Sequence, residues 1–523
     1  MAFENEATYL RSTRNGKSED FHSRFDRALE VVEEDFEETH PIYVGGKEVS
    51  CDQTFEDLSP ANTQRLIGYF QKAGTREATK AVEAASRAFP GWSETDWRER
   101  IRIFLTAADL LSRRKFELAA LMCHENGKNR LEAMADVDEA IDLIRWYCAE
   151  MERHDGFDRE MHGILPNERA RSVLKPYGVW AVISPFNFPL AITCGMTVGA
   201  VLTGNTAVLK PASDTPFMGL RFYEALQEAG LPDGVLNFVT GPGGSVGVEL
   251  VKNPEVSGLV FTGSRRVGVT SFKAFTRDFA KPVITELGGK NPVIVTDKAD
   301  MGKAVPGIGR GAFGFGGQKC SATARVYVHE SLKEEFLEEL VEWTEELKIG
   351  DPTERDTYLG PLINRRACES YQEYAAKAAK DGRVLTGGRV RKEGPLAKGY
   401  FVEPTIVDGL PRDHPLFRDE LFVPFVCVSA IKSLEEGLQL ANESEYGLCA
   451  GIFTEDPEER ETFFRKIQAG VVYCNRAQGA TTGAMVGVQP FGGWKHSGIS
   501  GKGAGGSYYL QQFLREQSQT YYV

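Results

Sequence analysis

Short β-branched runs alternate with helical stretches through most of this sequence, which predicts an α/β protein built on parallel, doubly wound sheets. After residue 170 the runs VLKPYGVWAVISP, NTAVLKPA, GVLNFVTG, SGLVFTGS, KPVITELGG and NPVIVTD carry Gly, Pro, Ser or Asp at or next to their ends. Stretches such as FMGLRFYEALQEAG lie between them, with apolar residues at helical spacing. In such sheets ligands bind beyond the carboxyl ends of the strands. Asn187, Lys210, Ser264 and Glu286 all fall at those ends.

The elements follow in order. Residues 1–40 read as a polar helical extension that closes on the acidic run EVVEEDFEE, a solvated face. IYVGGKEV and LSPANTQRLIGYF suggest short strands, and from REATKAVEAASRAFPGW to Tyr147 the apolar spacing predicts several amphipathic helices. A second α/β stretch runs from about 291 to 475, with the helix SLKEEFLEELVEWTEELKIG and the strand YGLCAGIFT. The closing segment is rich in glycine and then in aromatics.

Bulk properties narrow the function. A chain of 523 residues has room for two or three domains, and 42% hydrophobic with 26% charged residues is an ordinary globular profile. The formal charge of −13 and the pI near 5.4 disfavour nucleic acid or an anionic membrane as partner. No apolar run approaches the ~20 residues that span a bilayer. The first residues lack the apolar core of a signal peptide, so a cytoplasmic location is expected. Nine cysteines are scattered without a CxxC pair, which argues against a disulfide scaffold and against any metal site.

One cysteine stands apart. In GAFGFGGQKCSATARVYVH, Cys320 follows a glycine loop and precedes small residues that suggest a helix start. A helix N-terminus or a nearby cation would lower its thiol pKa and sharpen it as a nucleophile. Taken singly, the other candidates read as well in bland terms: Asn187 as a turn residue before Pro189, Glu286 as a surface acid, Lys210 as a solvated strand end.

Their order reverses that reading. ISPFNFPLA, AVLKPASDTP, FTGSRRVG, ITELGGKNP, RDELFVPF and PFGGWKHSG surround the cysteine motif, with Glu286 lying 34 residues and Asn187 133 residues before Cys320. From about residue 40 onward the chain resembles the aldehyde dehydrogenase superfamily. That resemblance implies Cys320 as the nucleophile that forms a thiohemiacetal. Asn187 and the Cys320 N–H would hold the oxyanion, and Glu286 would be the base that activates water against the thioester. It also implies a modified Rossmann NAD-binding domain, an α/β catalytic domain and a small oligomerisation β-arm. The expected boundaries are 1–40 for the extension, 41–148 and 171–288 for the dinucleotide domain, 289–480 for the catalytic domain, and 149–170 with 481–523 for oligomerisation.

For the cofactor, the resemblance implies Lys210 on the adenosine ribose, Ser264 near the pyrophosphate and Glu420 on the nicotinamide ribose, with Phe186, Gly263 and Phe422 completing the set. GPGGSVG at 241–247 does not fit GxGxxG. Ser213 stands where NAD-preferring relatives often carry Glu, so NADP would be tolerated beside NAD; no arginine adjoins Lys210 to clamp a phosphate.

GGQKCSA and TGAMVGVQPFGG are similar to the subgroup that oxidises glutamate γ-semialdehyde to glutamate in proline breakdown. There Ser321 and the N–H groups of Gly483 and Ala484 would cradle the substrate carboxylate, between Phe188 and Phe491. NRAQGATTGAMVG is a few residues longer than that subgroup shows, beside the proposed anchor. A dehydrogenase for another small semialdehyde, such as succinic semialdehyde, is the nearest rival. A cofactor-free thiol hydrolase would need a histidine partner for Cys320, and no motif supplies one. A non-catalytic relative need not keep the set of Cys320, Glu286 and Asn187. The partners expected are a small aldehyde and further copies of the chain.

Overall fold

The alternating runs do build two parallel sheets. The computed structural model describes residues 5–6, 18–477 and 485–523. In the first sheet the strands β1 (Val179–Ile183), β2 (Thr206–Lys210), β3 (Val256–Thr262) and β4 (Val283–Glu286) run parallel in the spatial order β4-β3-β1-β2. Leu236–Phe238 extends the parallel set beyond β2, and the hairpin Ile42–Val44 with Lys47–Val49 closes that edge antiparallel. β1 and β2 are almost wholly buried, and their unbroken VWAVI and TAVLK are what strands covered on both faces require.

Register aligns the functional ends. Ile183 pairs with Lys210 and with Phe261, and Thr262 pairs with Glu286. Thus Lys210 and Glu286 end their strands level with the start of the Asn187 loop. Ser264 follows β3 by two residues and opens the helix Arg265–Phe275, where its hydroxyl accepts from Val267 N.

The second sheet runs Arg383–Thr386, Thr405–Asp408, Phe425–Ile431, β6 (Thr323–His329), β5 (Asn291–Val295), β7 (Cys449–Phe453) and Val471–Cys474. All are parallel except the first, an antiparallel edge. A third, antiparallel sheet pairs Leu514–Tyr522 with Glu168–Pro176 over their whole length, and Asp158–Met161 with the latter. The strand that faces Leu514–Tyr522 starts inside the expected 149–170 segment and runs past it to Pro176.

Two helices carry the site from behind. α1 (Arg130–Arg153) starts at Asn129, whose side chain accepts from Leu131 N and Glu132 N. α2 (Ala191–Leu202), AITCGMTVGAVL, is apolar nearly all round and buried nearly all round, as its composition demands. The N-terminal helix Ser18–Glu33 is less solvated than its charge suggests. Phe21, Phe25, Ala28 and Val32, spaced four, three and four apart, are buried against the helix Lys115–Asn126. A buried Phe stabilises by roughly 1.5–3 kcal/mol, so the two rings anchor the segment. Its acidic end is exposed and paired, Glu33 with Arg65 and Asp35 with Arg221. Among the described residues no helix is long and apolar enough to cross a membrane, and no three His, Cys, Asp or Glu side chains form a metal cluster.

Candidate active site

The chain reaches Cys320 through a turn that side chains resist. Phe315, Gly316 and Gly317 take φ of 48°, 60° and 66° in succession. A left-handed Phe costs of order 1 kcal/mol or more and persists only when its surroundings hold it. Here Phe315 N donates to Glu132 Oε2 at 2.9 Å, and Lys319 Nζ reaches Oε1 of the same carboxylate at 2.6 Å. Buried Gln318 accepts from Ile363 N at 2.8 Å and donates to the carbonyls of Phe315 and Pro361.

Beyond Cys320 the chain enters β6, not a helix. The segment TARVYVH alternates β-branched and aromatic residues, and strand pairing to β5 wins over the small residues before it. The residues that follow Cys320 therefore give its thiol no helix N-terminus. Burial pushes the Cys320 thiol up, and the carboxylates of Glu420 and Glu286 push it further; the N–H groups of Ser321 and of Cys320 itself oppose them. The Cys320 thiol is thus held toward its protonated form, against the lowered pKa expected from sequence.

Glu286 ends β4 with its carboxyl buried. Burial raises its pKa to about 8, opposed by the Gly493 N–H, and Oε2 has no partner among the described residues. Gly288 and Gly289 do more than leave room. The Glu420 carboxylate fills the space a Gly288 side chain would take, and a Cβ on Gly289 would stand 2.5 Å from the Cys320 carbonyl oxygen. Gly289 N donates to Glu420 Oε1 at 2.9 Å, while burial lifts Glu420 to about 7.

Asn187 lies between β1 and α2, buried at 3% exposure. On either side, Phe186 meets Phe422 edge-on with ring centres 5.8 Å apart, and Phe188 packs against the core of helices. Phe422 itself has φ of 58°. Cys320 packs against a small apolar cluster of Leu448, Cys449, Val471 and Phe491. Ser321 is buried. Gly483 and Ala484 lie outside the described residues.

At the far end of the same sheet edge, Lys210 is buried, its Nζ donating to Pro211 O at 2.8 Å, and burial lowers its pKa to about 8 against the pull of Asp214. Ser213 Oγ donates to Gly241 O at 3.4 Å. Gly263 N donates to Glu286 O at 3.1 Å, joining the Ser264 turn to the end of β4. Lys210, the first N–H groups of the helix behind Ser264, and the buried Glu420 thus line the carboxyl edge of the sheet. A cation, free N–H groups and a carboxylate in that order suit the phosphates and ribose hydroxyls of a dinucleotide.

Sequence reading missed Asn291. Its Nδ2 donates to Cys320 O and Ala322 O, each at 2.8 Å, and its Oδ1 accepts from Cys449 N at 3.0 Å. It also missed Lys128 and Asp136, buried opposite charges 2.5 Å apart. Each motif was in view; only the fold brings them to the loops.

Comparison with known proteins agrees with this geometry. Residues 47–518 match the aldehyde dehydrogenase family. The 1-pyrroline-5-carboxylate dehydrogenase of Geobacillus sp. (strain WCH70) is 40% identical over 502 residues, 95% of each chain. The 1-pyrroline-5-carboxylate dehydrogenase 1 of Halalkalibacterium halodurans is 40% identical over 504 residues, again 95% of each. A Thermus 1-pyrroline-5-carboxylate dehydrogenase solved with bound NAD superposes with a TM-score of 0.94 at 36% identity, covering 100% of this chain and 99% of that one. The chain belongs to the aldehyde dehydrogenase family.

Proposed function

We propose that this protein oxidises L-glutamate γ-semialdehyde, the open form of 1-pyrroline-5-carboxylate, to L-glutamate with NAD, as in proline catabolism. The observation that carries the reading is the convergence of the Cys320 thiol with the buried Glu286 and Glu420 carboxyls, where the exit of β4 meets the loop before β6. Whole-length relatives named for 1-pyrroline-5-carboxylate support the substrate, and the Thermus structure with bound NAD supports the cofactor.

Each residue then has a task. The Cys320 sulfur adds to the aldehyde carbon and its proton passes to solvent as the bond forms, since burial and two carboxylates favour the protonated thiol beforehand. The Asn187 amide and the Cys320 N–H receive the developing oxyanion; one such donor is worth roughly 100–1,000-fold in rate. The dinucleotide, held by Lys210, Ser264 and Glu420 with Gly263, Phe186 and Phe422 around it, supplies a hydride acceptor when bound. Glu286 takes a proton from the water that attacks the Cys320 thioester, and the thiol is restored. Ser321, with Phe188 and Phe491 as walls, faces the substrate's remote end. The paired charges of Glu132 and Lys319 beside the nucleophile loop match an end that bears an α-ammonium and an α-carboxylate.

A second copy of the chain completes the picture. The strand Leu514–Tyr522 is long, and Tyr521, Tyr522 and Val523 are exposed on it with Met161, Ile164 and Leu165 nearby in the arm. Apolar exposure on a projecting sheet suits pairing between copies.

The test is NADH formation with glutamate γ-semialdehyde, succinic semialdehyde and simple aliphatic aldehydes. Preference for the first by orders of magnitude in kcat/KM, lost in Cys320→Ser, supports the reading. Preference for another aldehyde overturns the substrate and leaves the chemistry standing.

A further inference from the structure

The two loops that carry the proposed nucleophile and oxyanion residues do not brace one another alone. Between them lies the segment Asn126–Asp136, which ends in the first turns of α1. It meets the Asn187 loop at three points. Asn126 Nδ2 donates to Phe186 O at 3.3 Å, Lys128 Nζ lies 3.7 Å from the centre of the Phe188 ring, and Asp136 Oδ1 accepts from Ala191 N at 2.7 Å. It also meets the nucleophile loop at three. Lys128 Nζ lies 5.1 Å from the Phe315 ring, and the Glu132 carboxylate takes Phe315 N and Lys319 Nζ.

Lys128 reaches both loops at once. It is fully buried, and Asp136 Oδ2 lies 2.5 Å from its ammonium. A buried ion pair is a poor means of gaining stability, because desolvation offsets most of the attraction. A cation desolvated between two aromatic faces is, by contrast, directional and strong. The same pair also satisfies the first free N–H of α2, the helix that directly follows Asn187 and Phe188.

We infer that Lys128, held by Asp136, is a positioning residue for the reaction. Its ammonium locks the rings of Phe188 and Phe315, and with them the aldehyde wall and the turn that delivers Cys320. The inference rests on the roles given above to Asn187, Phe188 and Cys320. It goes beyond them in assigning function to a pair that touches no reacting atom. Lys128 acts on the aldehyde side, while Lys210, Ser213 and Ser264 form the dinucleotide side from other elements. Loss of the cation therefore affects aldehyde and dinucleotide unequally.

The test is steady-state kinetics of Lys128→Met and of the double variant Lys128→Met/Asp136→Asn, with Cys320→Ser in parallel. The double variant leaves no unpaired charge and keeps an acceptor for Ala191 N, so it carries the test if the single variant fails to fold. The expected result is a rise of about 10-fold or more in the aldehyde KM with a fall in kcat, the magnitude of a desolvated cation–π contact, and an unchanged KM for NAD. Wild-type kinetics in the double variant, or equal losses toward aldehyde and NAD, would overturn it. Full activity in Cys320→Ser would instead sink the site reading on which it stands.

Discussion

The Asn291 side chain donates to the Cys320 carbonyl oxygen at 2.8 Å, and through the same amide it binds Ala322 and Cys449. One residue at the start of β5 thus fixes the Cys320 backbone against the neighbouring β7. A Cβ on Gly289 would collide with that same carbonyl, so the peptide of Cys320 is held from two sides. Asn291→Ala leaves buried backbone groups unpaired, at about 1–3 kcal/mol each. The expected outcome is a lower melting temperature together with a kcat reduced at least tenfold. A variant of normal kcat would show that the backbone of Cys320 needs no such hold.

Burial of the Glu286 carboxyl links stability to pH. Its folded pKa is raised from 4.5 to about 8, so the folded protein resists ionising a group that ionises readily once unfolded. The stability of the protonated carboxyl is whole below pH 4.5 and is lost as pH rises through about 8. Glu286→Gln removes that loss, and its melting temperature relative to the wild type is expected to climb from pH 5 to pH 8.5, while turnover collapses. A difference in melting temperature that is flat with pH would contradict the buried carboxyl.

The thiol behaves in the same sense. With burial, Glu420 and Glu286 all favouring the protonated form, alkylation of Cys320 in the ligand-free enzyme is expected to be slow at neutral pH and to accelerate into the alkaline range. Glu420→Gln removes one of those carboxylates and should speed it. Rapid alkylation at pH 6, followed by peptide mapping to Cys320, would contradict this.

The proposed dinucleotide site makes Ser213 the residue on which NAD and NADP would be told apart. Its hydroxyl contacts Gly241 O and carries no charge to repel a 2′-phosphate. Ser213→Glu is expected to lower kcat/KM for NADP about tenfold or more and to leave NAD nearly unchanged, since one close like-charge contact is worth roughly 1–2 kcal/mol near a surface. Parallel loss with both dinucleotides would place Ser213 elsewhere than at the ribose.

Much of this was readable from residues. The sheets announced themselves because VWAVI and TAVLK are short, branched and bounded by turns, and strand ends marked Lys210 and Glu286 before any coordinates. Local patterning failed at Cys320, where small residues suggested a helix and the pairing of TARVYVH to β5 prevailed. It also failed on the sign of the thiol's shift. That sign depends on Glu420, 100 residues downstream in sequence and brought in by the glycines of β4's exit. Lys128 and Asp136 looked like any charged pair on a helix. Only burial between two loops distinguishes them.

The most direct test of the account is intact-protein and peptide mass spectrometry of Glu286→Gln enzyme mixed with NAD and glutamate γ-semialdehyde. A base that serves the hydrolytic step should, when removed, leave the acyl group stranded on the nucleophile. The account predicts a glutamyl thioester on the peptide that carries Cys320, appearing with one burst of NADH. A burst with no adduct, or an adduct on another cysteine, would contradict it.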